Sequence, residues 1–166
     1  MNNDIDNSAL DFLANQLEGD LLYDEMIRVL YATDASVYRA LPQAVAFPRS
    51  DNDIVKLVHF ANDNQTYLVP RAAGTSLAGQ TVGEGIIVDC SRYLNQITEI
   101  NTEERWALVE PGVIRNELNH HLTGTGLFLV RSLPQRQERR LEEWLVIIRR
   151  VPIPSYMAPP AIRLSR

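Results

Sequence analysis

Apolar residues recur along this chain at two spacings, one helical and one of strand length. Between residues 53 and 62, Ile54, Leu57, Val58 and Ala61 fall three and four apart, which predicts a helix laid on a core. Ser50 is placed to cap it, and Asn62-Asp63-Asn64 to end it. Residues 8–17 repeat the pattern in part, with Ser8 as the expected cap, Ala9, Phe12, Leu13, Gln16 and Leu17 as a partial stripe, and Gly19 as the stop. Asp24 can cap a short helix carrying Met26, Ile27 and Leu30, and residues 113–122 read as a further helix. Short apolar runs lie between these helices. Residues 44–47 form a strand bracketed by Pro42 and Pro48, and residues 67–69 and 86–88 form two more, the last behind a turn at Gly83 and Gly85. Residues 97–100 and 106–109 predict a hairpin around residues 101–104. The alternation gives an α+β fold, without internal repeat or low-complexity segment.

The stretch Val69-Pro70-Arg71-Ala72-Ala73-Gly74-Thr75-Ser76-Leu77-Ala78-Gly79-Gln80 follows one of these strands and carries the most chemistry. Small side chains let backbone N–H groups approach an anion, and consecutive amides in a turn form a concave nest. Thr75 and Ser76 add hydroxyl donors, and Arg71 adds a permanent charge. That is chemistry for a diphosphate. No Gly-Lys-Ser/Thr follows, and the Gly-x-Gly-x-x-Gly spacing is absent, so neither a Walker loop nor a Rossmann turn fits. The bland alternative is a small-residue turn that ends a strand for geometric reasons alone.

The flanks sharpen the case for the first reading. Tyr31-Ala32-Thr33-Asp34-Ala35-Ser36, Pro42-Gln43-Ala44-Val45-Ala46-Phe47-Pro48, the loop itself, Ile87-Val88-Asp89 and Val109-Glu110-Pro111-Gly112-Val113 stand in this order. Together they resemble the FAD-binding domain of the p-cresol methylhydroxylase and vanillyl-alcohol oxidase superfamily, in its glycolate oxidase subunit and D-lactate or D-2-hydroxyglutarate dehydrogenase branch. The resemblance covers residues 20–128. It implies the N-terminal part of a two-subdomain FAD-binding domain of p-cresol methylhydroxylase type. It also implies that Pro70, Arg71, Ala72, Ala73, Gly74, Thr75, Ser76, Leu77 and Gln80 wrap the FAD pyrophosphate, with Pro111 and Gly112 against the cofactor. Some relatives attach the flavin through a histidine in this loop; here no histidine lies between Phe60 and Asn119, which implies non-covalent FAD. In such enzymes the isoalloxazine carries the hydride chemistry, and the protein supplies orientation and a pocket. A full-length relative would oxidise a D-2-hydroxy acid; this chain is expected to lack the cap domain and to be catalytically incomplete, so no catalytic residue is assigned.

Charge divides the chain. Residues 1–128 hold eight basic and 18 acidic residues, whereas residues 129–166 hold eight arginines and three glutamates, within a total net charge of −5. The tail has no lysine or glycine but five of the nine prolines. Three readings stand beside one another. One is a basic arm for an acidic partner, which would make the chain a non-enzymatic interaction protein; it lacks aromatic interleaving, so nucleic acid is not expected. Another is a solvated helix over residues 136–150. The third is a frameshifted translation of the family's next motif. Codons for Leu129-Val130-Arg131 can be TTG-GTC-CGG, and a T restored before them yields Phe-Gly-Pro. The run Leu141-Glu142-Glu143-Trp144-Leu145-Val146-Ile147-Ile148-Arg149 can be read one base earlier as Gly-Gly-Met-Val-Gly-Asn-Asn-Ser. The expected division is therefore a helical lead over residues 1–20, a partial FAD-binding domain over 21–128, and an atypical tail over 129–166.

The remaining residues narrow the class. Cys90 is the only cysteine, which excludes an intrachain disulfide and a cysteine cluster for metal, and its place after Ile86-Ile87-Val88 suits a half-buried structural thiol. His120 and His121 are adjacent, so they face different sides of a helix and suit its C-terminal end; His59 is a spacer. Asp34 and Ser36 are placed to fix a loop by local capping. No metal site is expected. The polar, acidic start and the lack of a spanning apolar run suit a cytoplasmic protein without a transmembrane segment.

Overall fold

A computed structural model describes residues 5–129 and 162–163 of the chain, which divides into two units, Met1–Tyr93 and Leu94–Arg166. The first unit runs α1 (Asn7–Gln16), β1 (Asp20–Leu22), α2 (Glu25–Leu30), β2 (Ala44–Phe47), α3 (Asp51–Asp63), β3 (Leu68–Arg71) and β4 (Ile86–Asp89). Its sheet has the order β1-β2-β4-β3, with β1 antiparallel to β2, and with β2 and β3 each parallel to β4. Every residue of β2 and β4 is buried, as central parallel strands require when both faces are covered. Val45, Phe47, Val69 and Ile87 form one core cluster, with Leu22, Ile27, Tyr31 and Tyr93 packed against it, and Ala44, Ala46, Ile86, Leu57 and Ala61 are buried as well.

β3 closes one side of this sheet. Ile86 N–H donates to the Tyr67 carbonyl and Cys90 N–H to that of Arg71, so odd-numbered residues of β3 face β4 and even-numbered ones face outward. Pro70 therefore turns its missing N–H to the open margin, where a proline is tolerated in a sheet.

The helices follow their caps. Asp24 accepts from Ile27 N–H at 3.1 Å, and Ser50 Oγ from Asp53 N–H at 3.3 Å, both as expected. The first helix differs. Its N-cap is Asp6, and Ser8 lies inside the helix, donating from Oγ to the Asp6 carboxylate. Leu10 and Leu13 are its buried residues, while Phe12, expected on the stripe, is 65% exposed. Gly19 does not stop that helix: Leu17 is its C-cap, and Gly19 N–H donates to Asp53 Oδ2 at 2.9 Å. α3 also departs from its stripe, because Asp53, Leu57 and Ala61 are buried and Val58 is 53% exposed.

The second unit holds the hairpin β5 (Ile97–Asn101) and β6 (Trp106–Val109), then α4 (Arg115–His121) and β7 (Ile162–Arg163), in sheet order β5-β6-β7. Ala107, Val109, Val113, Leu118, Leu122 and Leu127 form its core. α4 begins two residues after the predicted start because the Pro111-Gly112 turn, in which Val113 N–H reaches the Glu110 carbonyl at 3.1 Å, precedes it. β7 pairs Arg163 with Trp106 and Ile162 with Ala107, antiparallel. The helix read over residues 136–150 lies outside the described residues. Among those described, no helix is long and apolar enough to cross a membrane.

Candidate functional site

β3 and β4 end together, with Arg71 opposite Asp89, and the small-residue loop leaves from this end of the parallel strands. That is the usual place for a ligand in a sheet of this kind. Within the loop only Gly74 and Gly79 take positive φ, at 63° and 71°, so Ala72 and Ala73 sit without strain. Gly74 has a second reason to be glycine: a Cβ there would lie 2.6 Å from Arg71 Nη2.

Arg71 points into the loop's own base. Its Nη1 donates to the carbonyls of Tyr31 at 3.2 Å and Thr81 at 3.3 Å, and its guanidinium carbon lies 4.9 Å from the centre of the Tyr31 ring. Tyr31 Oη in turn donates to Asp89 Oδ2 at 2.6 Å, and Asp89 Oδ1 accepts from Ser91 N–H at 2.7 Å. Burial, and then the Asp89 hydrogen bond, push the Tyr31 phenol well above its ordinary range.

The segment Tyr31-Ala32-Thr33-Asp34-Ala35-Ser36 is joined to the loop at two further points. Ala35 N–H donates to the Gly74 carbonyl at 3.0 Å, and Thr81 Oγ1 donates to Asp34 Oδ2 at 3.0 Å. Asp34 Oδ1 accepts from Ser36 N–H at 2.8 Å. Burial works to raise the Asp34 carboxyl, but its hydrogen bonds from Ser36 and Thr81 outweigh this and hold it below its ordinary value. Asp34 and Ser36 thus fix the loop as expected, Ser36 Oγ accepting from Tyr38 N–H at 3.1 Å.

Ser76 is spent inside the loop. Its Oγ accepts from Ala78 N–H at 3.3 Å and Gln80 N–H at 3.2 Å, and donates to Gln80 Oε1 at 3.0 Å. Thr75 is not: its Oγ1 is buried and has no hydrogen-bond partner. Among the described residues, the N–H groups of Ala73, Gly74, Thr75, Ser76 and Leu77 also have no acceptor. A buried orphan hydroxyl costs free energy unless something accepts from it or donates to it. Uncommitted amides beside that hydroxyl make an anion the fitting partner. Pro70 and Leu77 are exposed on the loop's flanks.

Pro111 and Gly112 lie in the second unit, in the turn after β6, where Gly112 N–H donates to the Leu94 carbonyl at 2.6 Å. His120 and His121 occupy the last turn of α4, and His121 Nδ1 lies 2.8 Å from the Glu117 carbonyl. His59 is exposed on α3, and Cys90 is buried. Among the described residues, no group of histidine, cysteine and carboxylates is arranged for a metal. Tyr31 and Asp89 are the site residues that motif reading passed over as separate landmarks, 58 positions apart.

Residues 42–136 match the FAD binding domain family. The D-2-hydroxyglutarate dehydrogenase of Pantoea ananatis (strain AJ13355) is 42% identical over 118 residues, covering 69% of this chain and 12% of that protein. The chain thus spans about an eighth of the length of that relative. Alkyldihydroxyacetonephosphate synthase shares the fold with a TM-score of 0.73 at 18% identity, over 85% of this chain and 29% of its own. p-Cresol methylhydroxylase with substrate bound does so with a TM-score of 0.57 at 19% identity, over 70% of this chain and 24% of its own.

Proposed function

The chain belongs to the FAD binding domain family, with FAD as its cofactor, and from that premise we propose that residues 70–80 hold the FAD diphosphate without a covalent bond. The whole protein is then a dehydrogenase of D-2-hydroxy acids, a class supported by the 2-hydroxyglutarate dehydrogenase among its relatives. The buried, unpartnered Thr75 hydroxyl carries this reading, because it stands among amides that have no acceptor within the described chain. A phosphate oxygen would accept from both. FAD brings the two-electron chemistry; the protein's part here is to bind and orient it. The absence of histidine and cysteine from the loop supports non-covalent attachment. A single buried cysteine supports a place in the cytoplasm.

A titration of the 166-residue chain with FAD, followed by flavin fluorescence quenching, tests the reading. Binding should saturate, and ADP should compete because it shares the diphosphate. Thr75→Val should weaken FAD and ADP alike by about tenfold, the worth of one hydrogen bond to a charged acceptor. The same substitution should leave the unliganded protein equally stable or slightly more so, since it removes an orphan polar group. Absence of saturable quenching by wild type would defeat the assignment.

A further inference from the structure

We infer that Arg71 serves this loop as an internal strut, and that the diphosphate is held by neutral donors without a direct arginine counter-ion. The inference rests on the cofactor reading above. Arg71 Nη1 is committed to two carbonyls, that of Tyr31 in a segment 40 positions earlier and that of Thr81 just past residues 72–80. The guanidinium carbon lies 4.9 Å from the centre of the Tyr31 ring, and a Cβ at position 74 would come within 2.6 Å of Nη2. The cation therefore lies beneath the loop, between Gly74 and Tyr31. It also has a carboxylate as its cross-strand register partner, Asp89, which is 4% exposed. Asp34 works from the same side, accepting from Thr81 Oγ1, while Ala35 N–H holds the Gly74 carbonyl. These contacts shape the nest from behind; the amides of residues 73–77 and the Thr75 hydroxyl face the anion. Arg71 and Asp34 are positioning residues.

An ion pair and a nest differ in their response to salt and to the shape of the cation. With a strut, raising sodium chloride from about 50 to about 500 mM changes the FAD Kd by less than about threefold, because screening acts mainly on exposed charge pairs. Arg71→Lys keeps the charge but loses the flat fork that reaches two carbonyls, so it should weaken FAD binding at least about tenfold. Asp34→Ala should weaken it about fivefold, and Asp34→Asn should hold within about twofold of wild type, since an amide can still bond Thr81. Far-UV circular dichroism checks each variant's fold. If Arg71→Lys fails to fold, the wild-type salt series and the Asp34 pair decide. Full affinity in Arg71→Lys, or a salt-dependent loss above about tenfold in wild type, overturns the strut while leaving FAD binding intact. No FAD binding by wild type defeats the cofactor reading, and this inference with it.

Discussion

Asp53 stands in the first turn of α3 with no solvent exposure, and its two oxygens accept the amides of Glu18, Gly19 and Arg49 at 2.9 to 3.0 Å. Burial works to raise its pKa, but the amides of Arg49, Glu18 and Gly19, with Lys56 nearby, outweigh burial and hold the carboxyl below its ordinary value. A carboxylate with a lowered native pKa stabilises the fold above its unfolded value of about 4, and the contribution fades as pH falls through the native pKa. Asp53→Ala should therefore cost about 3 kcal/mol in urea unfolding at neutral pH, because three donors lose their acceptor, and the difference from wild type should shrink in acid. Tyr31 has the opposite sign. Its raised pKa gives stability below about pH 10 that fades above it. Tyr31→Phe should leave the phenolate absorbance at about pH 11 unchanged, since the residue removed is still protonated there in the native protein.

α3 shows how far periodicity reaches. Spacing alone placed Ile54, Leu57, Val58 and Ala61 on one face; the buried face is instead the narrower line of Asp53, Leu57 and Ala61, four apart. Leu57→Ala should cost about 2 to 5 kcal/mol by thermal or chemical unfolding, and Val58→Ala less than about 1 kcal/mol. The other elements were legible in proportion to their local signals. β2 and β4 were plain as apolar runs between turn residues, and α2 and α3 carried capping side chains that bond as expected. β1 was missed because Asp20-Leu21-Leu22 is too short for a pattern and gains its register only from pairing with β2. α1 was displaced at its start because a serine two residues inside competes in sequence with Asp6, which holds the cap position. β7 lay in the arginine- and proline-rich tail, where no strand was expected, and only its pairing with β6 defines it.

For the molecule as a whole, cofactor and stability are linked: a ligand that binds only the folded state stabilises it by about 2.7 kcal/mol at a hundredfold excess over Kd. The thermal midpoint followed by circular dichroism should rise with FAD concentration, and riboflavin, which lacks the diphosphate, should raise it far less at the same concentration. The sequence disclosed the loop because small residues and hydroxyls cluster there, from Ala72 to Ser76. It did not disclose how the loop is supported, since the Tyr31–Asp89 and Asp34–Thr81 bonds join residues 58 and 47 positions apart. Nor could it show that Arg71 turns inward, because only the folded Tyr31 and Thr81 carbonyls draw it there. The proline at the outer margin of β3 bears on the behaviour of concentrated solutions. A strand arriving from another molecule would find a single outward N–H, that of Leu68, over those four residues, and fibrillar growth along that flank is starved of the donors it would need to propagate.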